Sequence, residues 1–159
     1  MIIKRVAQFI AIASLSATAS LAAAQSGQPI QLLGEVKQEK TVTENGASKL
    51  VLVEPKVVVP GDSLVFTTSY RNAGAAAVKD FVVTNPVPSA VRVAENDAAQ
   101  LQVSVDGGKL WGRLSSLTVA DAKGVRRAAQ AADVTHIRWT LAEIAAGGTG
   151  ALRYHAIVR

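Results

Sequence analysis

Two histidines, His136 and His155, are the first residues to weigh for chemistry in this 159-residue chain. They lie in runs of strand-like alternation, Val134–Leu141 and Thr149–Val158. Pairing the runs with Trp139 against Leu152 would set His136 opposite His155 and Arg138 opposite Arg153. A cross-strand histidine pair can ligate zinc or copper, but a closed site needs a third and a fourth ligand. None is evident nearby, and the two arginines repel a cation. The expectation is a solvated basic face, with an anion-binding patch as its rival.

Nucleophilic and hydrolytic chemistry is served no better. Ser63 follows Asp62, and Ser115-Ser116 sits in a loop, yet no Gly-x-Ser-x-Gly elbow occurs. Glycoside hydrolysis needs two facing carboxylates in unequal surroundings. Asp62, Asp80, Asp106 and Asp121 fall instead in turn contexts, where such side chains cap backbone amides. Glu95-Asn96-Asp97 and Asp106 offer oxygens to calcium, but without the spacing of an EF-hand loop. Gly107-Gly108 precedes no helix, so it reads as a hairpin turn and not a phosphate loop. Trp139 is expected in the core. Trp111 either packs across a hairpin or presents a contact for sugar or protein, and core packing is favoured. No catalytic, cofactor-binding or metal-ligating residue is assigned, and the chain reads as a non-enzyme without a cofactor.

The elements that would carry these residues are strands. From Ile30 onward, short apolar or alternating runs are separated by turn residues every 8–12 positions or so, the cadence of an all-β sandwich. Strands are expected at Gln31–Thr41, Lys49–Glu54, Ser63–Tyr70, Val78–Thr84, Val91–Ala94, Leu101–Val105, Leu110–Leu114, Val134–Leu141 and Thr149–Val158. In the third of these, Leu64, Phe66 and Tyr70 share one face and Val65, Thr67 and Ser69 the other. Ile137, Trp139 and Leu141 share a face, as do Leu152, Tyr154, Ala156 and Val158. Val103 to Trp111 is expected as a hairpin turning at Asp106-Gly107, and Ala145–Gly148 as the bend before the last strand. Asp121–Asp133 is rich in alanine and expected as a surface loop with one helical turn.

Residues 1–24 have the pattern of a cleavable export signal: Lys4 and Arg5, a mild apolar run from Val6 to Leu21, then Ala22-Ala23-Ala24. Gln8, Ser14, Ser16, Thr18 and Ser20 make the run too polar for a retained span of about 20 residues. Cleavage would leave 135 residues, a frayed segment 25–29 and one domain over 30–159. The formal charge then falls from +5 to +3 as Lys4 and Arg5 leave. Nucleic-acid binding is not expected, because the basic residues are scattered and the aromatics form no stacking series. With no cysteine, neither a disulfide nor a lipid-attachment site is available, so the domain must stand on its core.

At Pro60-Gly61-Asp62-Ser63-Leu64-Val65-Phe66-Thr67, Tyr70-Arg71-Asn72-Ala73-Gly74 and Val82-Val83-Thr84-Asn85-Pro86-Val87-Pro88 the chain resembles the conserved-repeat domain of unknown function eleven. That family is an immunoglobulin-like module of bacterial and archaeal surface proteins. Trp139-Thr140-Leu141 followed by Gly147-Gly148 resembles its closing strands, so the likeness spans about residues 30–159. It implies an immunoglobulin-like antiparallel β-sandwich of about seven to nine strands, used as a spacer or adhesive arm. The chain departs from the family in its single copy, in lacking a proline before the final glycine turn, and in its loop from Val119 to Asp133. Without the family, Pro60 and Gly61 still make a turn, and Pro86 and Pro88 force their strand to stop at Thr84 or to lie on an edge.

The functional expectation is an exported structural or protein-interaction module of the bacterial cell envelope, periplasmic or at the cell surface, with no transmembrane segment after signal cleavage. Its partners would be envelope or surface proteins, a second copy among them. The alternatives are a filament or surface-layer subunit whose Gln25–Val36 segment adds to a neighbour's sheet edge, and a carbohydrate-binding module.

Overall fold

The computed structural model describes residues 29–159, so the expected signal peptide and all of segment 25–29 except Pro29 lie outside the described residues. Ten strands follow in chain order. They are β1 (Ile30–Glu44), β2 (Ala47–Val53), β3 (Ser63–Asn72), β4 (Val78–Pro86) and β5 (Val91–Val93), then β6 (Gln102–Ser104), β7 (Thr118–Ala120), β8 (Arg126–Ala128), β9 (His136–Ile144) and β10 (Thr149–Val158). One short helix, α1 (Glu95–Gln100), separates β5 from β6. Pairing is antiparallel throughout. A five-stranded sheet has the order β2-β1-β3-β10-β5, a three-stranded sheet the order β4-β9-β6, and β7-β8 is a separate hairpin. The all-β expectation holds.

Alternation along β3 and β10 builds the core. Leu64, Phe66, Tyr154 and Ala156 of the large sheet meet Val103, Ile137 and Trp139 of the small one. Phe66 stacks on Tyr154 at 4.8 Å between ring centroids, and Trp139 lies 6.3 Å from the same tyrosine. Aromatic pairs of this kind contribute about 0.5–1.5 kcal/mol each beyond their buried area. Burial pushes the Tyr154 phenol up to about 12. The expected core position of Trp139 and the shared face of Tyr154 and Ala156 are both observed.

Strand β4 runs to Pro86 and is an edge of its sheet, which is where a strand holding proline belongs. Asp80, expected in a turn, sits inside this strand with φ 51°. A left-handed residue there interrupts the ladder, since Lys79 and Phe81 pair with Glu143 and Leu141 while Asp80 has no partner. Such a break blunts the edge against further pairing.

Three expectations about elements are corrected. Leu110–Leu114 is not a strand: only Gly112 pairs with Val103, through bonds of 2.9 and 3.1 Å. The Asp106 carboxylate takes the amides of Lys109 and Leu110, and Gly107 and Gly108 are both left-handed, so a wide loop replaces the tight hairpin. Within Asp121–Asp133, the helical turn is present as a 3-10 turn at Ala131–Asp133, but β8 pairs with β7 just before it. Strand β1 is longer than expected because Asn45 (φ 53°) and Gly46 (φ 78°) form a two-residue turn into β2.

A further correction concerns β9 and β10, which belong to different sheets and do not pair. Ala145–Gly148 carries the chain from one sheet to the other. Asn72, fully buried, fixes that crossing: its side-chain amide donates to the carbonyls of Ala76, Ile144 and Ala145 at 2.8–3.1 Å, and its oxygen accepts from the Gly74 N–H at 3.0 Å. The main chain adds Asn72 N–H to Gly148 C=O (2.8 Å) and Gly147 N–H to Asn72 C=O (3.0 Å).

Candidate functional site

Because β9 and β10 lie in separate sheets, His136 does not face His155 and Arg138 does not face Arg153. The expected basic face does not form around that pair. His155 instead points among carboxylates. Its Nδ1 lies 3.0 Å from Asp97 Oδ2 and its Nε2 3.8 Å from Glu39 Oε1. The helix α1 places Asp97 there, where Oδ2 also accepts the His155 backbone N–H beyond the end of β5. Ser63 donates to Glu39 Oε2 at 2.7 Å and so spends its hydroxyl on a carboxylate, not on the imidazole. The arrangement orders a strand edge; it is not a nucleophile with its base. Among the described residues no group of three or more His, Asp or Glu has metal-holding geometry.

The turn aspartates behave as caps. Asp62 Oδ2 accepts from the Val59 N–H (2.9 Å), three residues back, and also from Gln38 Nε2 (2.7 Å). Asp121 Oδ1 accepts from Lys123 and Val125. Asp106 takes the amide of Leu110 and the hydroxyl of Ser104, and these bonds hold its carboxyl below the ordinary carboxylate range. The calcium candidates are thereby accounted for: Asp106 closes its own loop and Asp97 binds β10.

Trp111 is half-buried on the flank of β9 and does not join the core. The Arg138 guanidinium sits 4.5 Å from its ring centroid, itself held by Gln102 Oε1 at 2.9 and 3.1 Å. The His136 ring meets it edge-on at 6.4 Å, and its indole N–H donates to the Gly108 carbonyl at 2.8 Å. Both the expected core packing and the free platform that a sugar would need give way to this stacked arrangement.

The surface most suited to binding lies on the edge formed by β1 and β2. On β1 and β2, Leu32, Leu33, Leu50 and Leu52 are 50%, 71%, 67% and 53% exposed. They form two pairs, one on each strand, and large exposed apolar side chains of this kind suit protein contact. The N-terminal half of β1 is also unpaired on its outer side, because β2 reaches only as far as Gln38. The sequence signal was present: Ile30-Gln31-Leu32-Leu33 is more apolar than an exposed strand requires, and no proline falls between Ile30 and Glu54. No family model, curated protein or solved structure matches this chain.

Proposed function

We propose that this chain is an exported, non-enzymatic structural or protein-interaction module of the bacterial cell envelope, folded as an immunoglobulin-like β-sandwich of the conserved-repeat kind. The observation that carries the interaction role is the pair of exposed leucine sites on this sheet edge, Leu32 and Leu33 on β1 and Leu50 and Leu52 on β2. The export pattern of residues 1–24 supports the compartment, and the two antiparallel sheets sharing one core support the sandwich. Crosslinking the chain in its native envelope and identifying what is captured tests the reading. Defined envelope proteins, lost on Leu50→Lys and Leu52→Lys substitution, are expected. A chain retained in the cytoplasm, or one whose substitution changes no capture, refutes it.

A second reading, assembly by strand addition, is favoured by the open edge of β1. The donor proposed from sequence needs revision, since Ile30–Val36 already pairs with β3. The carbohydrate reading loses support where Arg138 stacks on one face of Trp111.

A further inference from the structure

We infer that the open half of β1 is a self-complementary docking edge, on which Ile30–Val36 of a second copy pairs antiparallel about a two-fold axis through Leu33. This rests on the module reading above and names one of its partners.

The phase of the ladder identifies the free groups. The Ala73 N–H donates to the Pro29 carbonyl at 2.7 Å, and Ile30 is opposite Asn72. Odd-numbered residues of β1 therefore exchange hydrogen bonds with β3. Even-numbered ones point the other way, where Gln38, Lys40, Val42 and Glu44 meet β2. That leaves the N–H and C=O of Ile30, Leu32, Gly34 and Val36 facing outward with no backbone partner among the described residues. Such a row, at strand spacing, is satisfied by another extended backbone.

The slot has a fixed length. It begins at Ile30 and ends where β2 stops, opposite Gln38, because Pro55 cannot continue the ladder. A two-fold axis at Leu33 sets Ile30 against Val36 and Leu32 against Gly34, so every free even-numbered residue finds an even-numbered partner. Ile30–Val36 of each copy then lies in line with the other's β2, which ends opposite Gln38.

Side chains fit on both faces. On the inner face, a Cβ added at Gly34 meets nothing within 4 Å, and beside it lies a cavity of about 310 Å³ lined in part by Val36, Phe66, Pro86 and Tyr154. Leu32 of the second copy lands over this glycine and enters that space. On the outer face the two Leu33 side chains meet at the axis, which accounts for their exposure in the single chain. Glu35 faces Gln31 and not its own copy, so no like charges oppose. The other long edge, β4, carries the break at Asp80 and Pro86, while this one carries neither.

The chain has no cysteine, which gives a clean test in the full-length protein. Opposed residues of a non-hydrogen-bonded pair lie about 4.5 Å apart between Cα atoms, within the range a disulfide spans. Leu33→Cys should form a reducible dimer under mild oxidation. Leu50→Cys should not, since its β1 partner Thr41 lies eight residues from the axis, about 26 Å along the strand. Adding Gly34→Pro removes an outward N–H while sparing the bonds to β3, and should cut the crosslinked yield roughly tenfold or more. If Gly34→Pro proves unfolded by circular dichroism, Leu32→Glu takes its place and should give the same loss. Absence of the Leu33→Cys dimer, crosslinking through Leu50→Cys instead, or a yield unmoved by a folded blocking variant overturns the inference. A chain that crosslinks at Leu33 but captures no envelope protein refutes the module reading alone.

Discussion

Replacing Asn72 should damage the fold more than any surface substitution, and the size of the loss can be worked from its bonds. The side chain is fully buried and serves the Ala76, Ile144 and Ala145 carbonyls and the Gly74 N–H. Asn72→Ala leaves these groups without their partner, and each unsatisfied buried group costs about 1–3 kcal/mol. Some of them gain water on relaxation, so the total should be about 3–4 kcal/mol. That is a large share of the ~5–15 kcal/mol that holds a domain together. It corresponds to a fall in Tm of about 10 °C. Asn72→Asp should be worse still, since a carboxylate oxygen would replace the donor facing three carbonyls. Urea unfolding followed by tryptophan fluorescence measures both variants, with an unchanged m-value required for the comparison. A loss below about 1 kcal/mol for Asn72→Ala, or an Asp variant more stable than the Ala variant, would refute the assignment of Asn72 as the tie between the two sheets.

The remaining predictions concern protons and the indole. Asp106 and Asp133 are held below the ordinary value of 3.8, Asp106 by the Leu110 amide first and Asp133 by the Arg127 guanidinium first. Their contribution is present above that value and is lost as pH falls through the lower folded-state value. The urea midpoint should therefore drop in acid, and the acid slope should shrink in an Asp106→Asn, Asp133→Asn double variant; an identical slope refutes this. Tyr154 should ionise at about 12 in an ultraviolet titration, a step that Tyr154→Phe should remove. Because the folded state raises this pKa above 10.0, stability should decline as pH rises from 10 towards 12, and Tyr154→Phe should remove that decline. Arg138→Ala should uncover one face of Trp111 and raise acrylamide quenching of a Trp139→Phe background; unchanged quenching would refute the stacking.

Period-two alternation made the large strands readable. β10 buries the face of Tyr154 and Ala156, and β3 buries that of Leu64 and Thr68 with Val65 as the one buried residue on its other face, so the two-residue periodicity there largely matches what the core requires. The prolines of Val82–Pro88 announced an edge, and β4 lies on one. Failures arose where side chains compete with the ladder. Asp106 takes amides that a strand at Leu110–Leu114 would have needed, and Asp121 closes a hairpin inside a stretch whose alanines suggested a helix. The histidine pairing failed for a different reason: consecutive strands were assumed to be neighbours, whereas Asn72 diverts the chain between sheets over four residues. Nothing in local periodicity reports which of two sheets a strand will join. Asn45-Gly46 was a readable turn, and with it the reach of β2 and the vacant half of β1 follow.

The Asn72 clasp gathers three passes of the chain at one end of the small sheet, near Val78 and Ile144. The β7-β8 hairpin hangs from the opposite end, before His136, with its tip at Lys123-Gly124 exposed. Foreign peptide inserted at that tip should leave the melting temperature almost unchanged, whereas the same insertion at Ala75-Ala76 should abolish soluble expression. One end of the molecule is thus anchored and the other available for display.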